Sequence, residues 1–332
     1  MCVILFTKIN GKTILAKNRD QVHKPEIELI HEIVNGTEIA YIRDKKTEWI
    51  EGMNEDGRSI VNATLNINDT KIFQQNEHSY KYNSFKKSYK KNKIYNILFS
   101  KKTKEELENY IKKTNDKGYT FEGNTILVDN DNVYHIENIK NVFFIEKIDK
   151  PSVFTNHGIN IRHAGYTQGK KGLSSFLRRK LVETELKCNK DVDLYDDFVE
   201  NVMNVNYTNL DPRFHSYRDR KLTLKKTNLD KDQIFINTTG QLILNITDKE
   251  FVYYTDINNS KNVKYINKLP SNYVPKIRVI IKETEKQVQV KKKAFTQKYL
   301  SKLYDKFDYN PSKDKHNKTR KHYKHLAKKL EI

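Results

Sequence analysis

The first twenty residues predict a β-hairpin, which limits the folds open to this chain. Residues 3–9 form an apolar run rich in β-branched side chains, and Asn10-Gly11 after it is a two-residue hairpin turn. Antiparallel pairing about this turn places residues whose numbers add to 21 opposite each other. Cys2 is then opposite Arg19, and Asp20 lies next to the start of the chain. The hairpin therefore brings a thiol, a cation and a carboxylate together at one end.

Strand and helix patterns along the rest of the chain predict an α+β fold, because antiparallel strands with helices between them form layered domains. Strand patterns occur at residues 38–43, 58–65, 125–128, 132–137, 142–147, 233–237, 241–245 and 251–255. Helical patterns occur at residues 89–99, 103–114, 174–185 and 194–204. The lysine-rich segment 74–93 is predicted to be an exposed insertion.

The composition excludes several classes of protein. Hydrophobic residues make up 36% and aromatic residues 11% of the 332 residues, which argues against a wholly disordered chain. No run of about 18 apolar residues exists, so no membrane-spanning helix is expected. Two cysteines cannot form a disulfide framework, and Lys8 ends the first apolar run too early for a signal peptide. We therefore expect an intracellular, reducing location in the cytoplasm.

The positive charge is concentrated at the C-terminal end. The chain carries a formal charge of +20, and residues 276–332 contain 18 Lys and Arg against 6 Asp and Glu. We predict a globular domain over residues 2–275 and a basic, mainly helical tail over residues 276–332. From about residue 282 no strand pattern remains, and helices are predicted around residues 294–307 and 313–330.

This tail suggests a function of a different class from catalysis. Lysines in residues 282–332 can neutralise phosphates, and Tyr299, Tyr304 and Tyr323 can stack on bases. Binding of nucleic acid or an anionic surface through residues 282–332 is one interpretation. The other is a pair of solvated basic helices, since no known nucleic-acid motif organises these residues. In either case we expect the tail to be separate from any catalytic site.

Cys2 becomes a terminal nucleophile if the initiator methionine is removed, as expected before a small second residue. Cys2 then carries both a thiol and a free α-amine. The amine, with a pKa of about 7.7–8.0, is a base tethered to the nucleophile. Activation of a cysteine by its own terminal amine is a recognised form of covalent catalysis. The alternative is that Cys2 is a small buried residue in an edge strand.

Several motifs occur in order along residues 2–255. They are Met1-Cys2, Lys17-Asn18-Arg19-Asp20, Gly52-Met53-Asn54-Glu55-Asp56-Gly57, Thr155-Asn156-His157, and Ser174-Ser175 followed by Arg178. This ordered set resembles the N-terminal-nucleophile (Ntn) hydrolases of the choloylglycine hydrolase, penicillin V acylase and isopenicillin N acyltransferase group, in the form with an Asn-Arg-Asp start. The resemblance implies a four-layer αββα sandwich that needs no cofactor.

The resemblance also implies roles for four residues. Cys2 is the nucleophile and, through its amine, the base, and Asp20 orients that amine. Asn156 donates a hydrogen bond to the tetrahedral oxyanion, and Arg178 polarises the site and favours the thiolate. Without the resemblance, Asn156 belongs to an ordinary loop, and Arg178 to the solvated face of a helix capped by Ser174.

Four further positions are candidate site residues. The hairpin register places Arg19 near the thiol. Lys17 stands where the bile-salt branch of the group has arginine, and lysine keeps the charge but loses the planar fork. Asn62 and Thr64 both lie on the strand expected to supply a second oxyanion donor, and the sequence leaves the choice between them open.

These interpretations lead to two hypotheses of different classes. The first is a Cys-dependent amide (C–N) hydrolase or acyltransferase that forms an acyl-enzyme on Cys2 from a small acyl-amide or acyl-thioester. The second is a catalytically inactive protein of the same fold, or a nucleic-acid or anionic-surface binding protein that acts through its tail. No metal site is predicted, because His157 and His163 lie six residues apart without a cysteine or acidic partner pattern.

Overall fold

The computed structural model describes residues 2–21, 26–45, 49–65, 93–98, 100, 103–116, 122–139, 142–161, 164–189, 192–204, 206–207, 210, 214–216, 237–256, 262–284, 290–291 and 295–311. Within these ranges, no helix has the length and apolar character needed to cross a lipid bilayer.

The strands of this part of the chain are numbered in chain order. They are β1 (Val3–Ile9), β2 (Lys12–Gln21), β3 (Ile27–Val34), β4 (Thr37–Asp44), β5 (Trp49–Asn54), β6 (Ser59–Ala63), β7 (Gly123–Asp129), β8 (Asn132–Ile139), β9 (Val142–Lys147), β10 (Ser152–Phe154), β11 (Asn206–Tyr207), β12 (Asn237–Asn245), β13 (Glu250–Asp256), β14 (Val263–Asn267), β15 (Arg278–Thr284) and β16 (Val290–Lys291).

The helices are numbered in the same way. They are α1 (Lys93–Leu98), α2 (Lys104–Asp116), α3 (Gly169–Cys188), α4 (Asp196–Phe198, continued by a π-helical turn over Val199–Met203) and α5 (Gln297–Lys306).

Two large sheets form the centre of the molecule. The six-stranded sheet has the order β10-β1-β2-β12-β13-β15, and the eight-stranded sheet has the order β14-β3-β4-β5-β6-β7-β8-β9. The predicted hairpin opens the six-stranded sheet, with Val3 opposite Asn18. Its turn residues Asn10 and Gly11 have φ values of 50° and 75°, the left-handed conformation that a tight hairpin turn needs.

The main core lies between the two sheets. Cys2, Ile4 and Phe6 belong to one apolar cluster with residues of the eight-stranded sheet such as Ala40 and Val61. Helices α1 and α2 cover the outer face of the eight-stranded sheet, and α3 and α4 cover that of the six-stranded sheet. Because both faces of β1 are covered, its sequence is apolar almost throughout rather than alternating. The four layers give an αββα arrangement, and the predicted α+β fold is confirmed.

The structure differs from the prediction at the start of the basic tail. Residues 278–284 form strand β15, which pairs in parallel with β13, so the six-stranded sheet extends across the predicted boundary at residue 276. The predicted helix near residue 300 is present as α5. Three predictions fall outside the described residues: the second tail helix, the strand at residues 233–236, and the insertion at residues 74–93 except for its last residue.

Helix α5, within the predicted tail, packs against the rest of the molecule. Its Leu300 and Leu303 pack with Leu173, Leu177 and Leu181 of α3 in one apolar cluster. Hydrophobic side chains at spacings of three and four residues on both helices explain this contact. Helix α5 therefore supports α3, the helix that carries Arg178.

Candidate active site

Cys2 immediately precedes β1, with its side chain in the apolar cluster between the two sheets. The residue is 9% exposed. Its backbone nitrogen donates a hydrogen bond to Asn156 Oδ1 at 2.7 Å, and its sulfur lies 4.0 Å from the backbone oxygen of Asp20. The fold therefore holds both the sulfur of Cys2 and the nitrogen that loss of Met1 would make the terminal amine.

Asn156 joins three parts of the site. It follows β10, and its Oδ1 accepts from both the Cys2 nitrogen and Arg178 Nη2, the latter at 3.1 Å. Its Nδ2 donates to the backbone oxygen of Thr64 at 2.7 Å, and its backbone nitrogen donates to Ser175 Oγ at 2.9 Å. An amide NH₂ has two hydrogens, so one remains for another acceptor. Asn156 is thus part of a buried network and not of an ordinary loop.

Arg178 projects from α3 into the same network. Its side chain is fully buried, so the alternative of a solvated helix face is wrong for this residue. Its Nη1 donates to the backbone oxygen of Cys2 at 3.0 Å and lies 3.4 Å from Asp20 Oδ2. The other Asp20 oxygen accepts from Thr238 Oγ1 at 2.7 Å. The structure thus brings all four residues with implied catalytic roles together at the start of the chain.

A buried cluster of charges lies between the sheets next to this network. Lys17 Nζ contacts Glu51 Oε1 and donates to the backbone oxygen of Asn62 at 2.6 Å. Arg19 Nη1 lies 2.9 Å from Glu51 Oε2, and Arg19 Nη2 lies 3.5 Å from Asp44 Oδ2. The two cations thus share the buried carboxylate of Glu51.

Of the two cations in this cluster, Lys17 has the larger effect on the thiol. Burial raises the pKa of Cys2, but the positive charges of Lys17 and of the chain terminus outweigh burial, so the pKa of the thiol is lowered. Burial in turn lowers the pKa of Lys17 to about 7. The hairpin register correctly placed both cations on this strand but did not show which of them influences the sulfur more.

The two candidates for the second oxyanion donor lie in different environments. Asn62 is fully buried, and its Nδ2 donates to Thr125 Oγ1 at 2.6 Å. Thr64 is half-buried, and its backbone oxygen accepts from Asn156. The Asn62 side chain therefore links β6 to β7, whereas the Thr64 backbone helps to orient the Asn156 amide.

His157 is neutral near physiological pH. Burial, assisted by the nearby Arg179 and Arg178, lowers its pKa to about 4. Its Nδ1 lies 3.0 Å from Thr155 Oγ1 and 2.9 Å from Ser175 Oγ. His163 lies outside the described residues, and within the described ranges no group of His, Cys, Asp and Glu side chains could hold a metal ion.

Sequence reasoning missed several residues that the structure places at the site. Glu51 was not expected to pair with Lys17, because 34 positions separate them and no local pattern links them. The hydroxyls of Thr238 and Ser175 complete the hydrogen bonding of Asp20 and Asn156. The Ser174-Ser175 pair gave a weak signal, but as a helix cap.

A groove of about 730 Å³ lies elsewhere on the molecule. Its lining includes Lys8 and Ile9 at the end of β1 opposite Cys2, together with Glu146, Phe154 and Arg179. Cys2 is not among the lining residues, so this groove is not the pocket of the thiol.

Comparisons with known proteins found likeness only among solved structures. No protein-family model matches the chain, and no curated protein matches it by sequence. Penicillin V acylase from Agrobacterium tumefaciens has a TM-score of 0.44 and 10% identity, over 80% of this chain and 88% of that chain. The mutant C2A conjugated bile acid hydrolase from Clostridium perfringens has a TM-score of 0.39 and 12% identity, over 89% of this chain and 100% of that chain. Both bear names of the group that the sequence resembles.

Proposed function

We propose that this protein is a Cys-dependent amide hydrolase or acyltransferase that forms an acyl-enzyme on Cys2. The observation that carries the proposal is the position of Cys2, whose backbone nitrogen and oxygen are held by Asn156 and Arg178, with the buried cation Lys17 acting to lower the pKa of its thiol. A structural cysteine in an apolar core would have a raised pKa, because burial disfavours the thiolate.

The reaction starts with loss of Met1, which converts the peptide nitrogen of Cys2 to a primary amine. This amine takes the thiol proton, and the sulfur attacks the carbonyl carbon of an acyl-amide or acyl-thioester. The C–N or C–S bond then breaks, and the ammonium returns its proton to the leaving group. The product is an acyl-Cys2 thioester. Water or an acceptor amine attacks this thioester and gives up its proton to the α-amine. The bond between the acyl carbon and Cys2 Sγ then breaks, the acyl group leaves, and the α-ammonium returns the proton to the Cys2 thiolate.

The neighbouring side chains support this cycle in different ways. Asn156 Oδ1, 2.7 Å from the Cys2 nitrogen, fixes the direction of the amine, and the second hydrogen on its Nδ2 is available for the oxyanion. Asp20 stabilises the ammonium formed when the amine takes the proton. Arg178, a buried cation at 3.4 Å from Asp20, offsets this effect, so that the amine remains a usable base near neutral pH.

The experiment combines the mass of the mature chain with a panel of small acyl-amides and acyl-thioesters. We expect a chain that begins at Cys2, a covalent acyl adduct on that residue, and turnover that Cys2→Ala abolishes without unfolding the protein. Cys2→Ser keeps far less activity, because a hydroxyl is much harder to ionise than a thiol. A processed chain that forms no adduct with any member of the panel would favour the catalytically inactive alternative, and normal turnover by Cys2→Ala would exclude Cys2 as the nucleophile.

A further inference from the structure

We propose that Asn124 is a positioning residue that fixes Asn156 at the site, and that His135 fixes Asn124 in turn. The proposal rests on the proposed function, because Asn156 matters for catalysis only if Cys2 is the nucleophile. It assigns a role to a buried polar side chain of the opposite sheet, outside the network around the thiol.

Asn124 holds the chain on both sides of Asn156. It lies on β7 and is fully buried. Its Nδ2 donates to the backbone oxygen of Thr155 at 2.7 Å and to that of His157 at 2.9 Å. One side-chain amide therefore restrains the carbonyl groups immediately before and after Asn156. These two restraints act together with the Ser175 hydroxyl, which accepts from the Asn156 nitrogen, to set the direction in which the Asn156 side chain leaves the backbone.

The orientation of the Asn124 amide is itself determined. Because Nδ2 donates to two carbonyl oxygens, Oδ1 must point the other way, and it lies 3.0 Å from His135 Nε2. That ring nitrogen must therefore carry a proton. The ring of His135 is stacked on Phe154 with centroids 3.7 Å apart, and its Nδ1 lies 2.9 Å from Glu146 Oε1. The imidazole is thus held by its stacked face and by the hydrogen bond that its Nε2 donates to Asn124. Burial lowers the pKa of His135, so at neutral pH the ring has one proton and Nδ1 has none to donate to Glu146.

A second side chain of the same hairpin holds the next part of the loop. Glu137, on β8 with His135 and fully buried, accepts hydrogen bonds from three successive backbone nitrogens: Ile159 at 2.6 Å, Asn160 at 3.1 Å and Ile161 at 2.7 Å. The loop after Asn156 is therefore anchored independently of Asn124. A substitution of Asn124 is expected to release the region around Asn156 without detaching the whole loop.

The consequence for catalysis is one of geometry. Asn156 Oδ1 is only 2.7 Å from the Cys2 nitrogen, so a small displacement of Asn156 breaks this bond and moves the oxyanion donor. A misplacement of about 1 Å in a catalytic group can lower the rate by about 100-fold. Asn124 contacts neither the thiol nor its nitrogen in the hydrogen bonds described, so its effect is exerted through Asn156.

The test compares Asn124→Ala with the matched control Asn138→Ala. Asn138 is also a fully buried asparagine, on the adjacent strand β8, but its side chain exchanges hydrogen bonds with Asn115 on α2. Both variants lose a buried amide, and both are expected to lose stability. We expect Asn124→Ala to lower kcat per folded molecule by 10-fold to 100-fold with little change in KM, and Asn138→Ala to leave kcat unchanged. Equal kcat values for the two folded variants would overturn the proposal.

A second variant and a second measurement keep the test decisive. His135→Phe retains a ring on Phe154 but cannot bond Asn124, and we expect it to lower kcat less than Asn124→Ala does. Hydrogen exchange of residues 155–161 is expected to rise in Asn124→Ala and not in Asn138→Ala. If the wild-type chain shows no turnover, the proposed function fails, whereas the exchange data still decide whether Asn124 positions this segment. Unchanged exchange in Asn124→Ala would refute that role.

Discussion

Replacement of Lys17 by methionine tests whether a buried cation on the first hairpin sets the reactivity of Cys2. Methionine fills a similar volume without charge, so packing changes little. The Lys17 ammonium lowers the pKa of the thiol, and its removal is expected to raise that pKa. Each unit of increase lowers the thiolate fraction about tenfold at a pH below both values.

The same substitution affects stability. Removal of one partner from a buried ion pair costs about 3–5 kcal/mol, because the other charge is left buried. Glu51 keeps Arg19 at 2.9 Å and the Trp49 Nε1 donor at 3.0 Å when Lys17 is lost. We therefore expect Lys17→Met to lower the free energy of unfolding by about 3 kcal/mol, at the lower end of that range.

The assay is the rate of iodoacetamide alkylation of Cys2 as a function of pH. A Cys188→Ser background is needed, because Cys188 is an exposed thiol. Lys17 is charged below its pKa of about 7 and neutral above it. The ratio of the wild-type rate to the Lys17→Met rate is therefore expected to be largest below pH 7 and to decrease as the pH rises through 7.

Arg19→Met is the matched control. Arg19 lies two residues further on the same strand and shares Glu51, so its loss is expected to lower stability by a similar amount. It is expected to raise the pKa of the thiol less than Lys17→Met does, because Lys17 is the cluster cation with the larger effect on the sulfur. A raised thiol pKa in Arg19→Met and an unchanged one in Lys17→Met would refute this reasoning.

Three further predictions follow from the site and its supports. Asp20→Asn leaves the buried Arg178 without its carboxylate and the Cys2 amine without a partner charge. The rate of single-turnover acylation is therefore expected to fall by about 10²–10⁴-fold. An unchanged rate on folded protein would remove Asp20 from the site. The pKa of His157 is about 4 in the folded protein and about 6.5 in the unfolded chain, so unfolding takes up a proton between these values. Stability is therefore expected to fall as the pH drops from 6.5 to 4, by about 3 kcal/mol, and urea unfolding of His157→Gln is expected to lack this part of the pH dependence. Deletion of residues 295–332 uncovers the apolar face of α3 and removes Leu300, Leu303 and Phe307, whose burial stabilises the fold by about 2 kcal/mol each. Thermal unfolding of the shortened chain is therefore expected at a lower temperature. An unchanged Tm would show that α5 does not support α3.

Local sequence determined the first hairpin completely. Asn10-Gly11 selects a two-residue turn, and the turn fixes the register that places Val3 opposite Asn18. Most strands and helices were also visible as local patterns, since they depend on neighbouring residues. Strand β15 was missed because residues 278–284 are read as part of a basic tail, whereas their pairing with β13 is a contact between distant parts of the chain.

The candidate site was only partly open to sequence reasoning. The hairpin register brought Cys2 and Asp20 to one end, but the positions of Asn156 and Arg178 came from a resemblance and not from any local pattern. Cys2 and Asp20 are 18 residues apart in the sequence, whereas Cys2 and Arg178 are 176 residues apart. Packing of α3 on the six-stranded sheet, which contains β1, brings Arg178 next to Cys2.

Tertiary structure alone decided which charges influence the thiol. Lys17 and Arg19 lie on the same face of β2, and the sequence made Arg19 the nearer cation to Cys2. The two side chains differ in their partners across the sheets: Arg19 is shared between Glu51 and Asp44, and Lys17 is shared between Glu51 and the Asn62 carbonyl. The strength of hydrogen bonds and charge interactions between distant strands depends on distance and burial, and neither quantity can be obtained from the sequence alone.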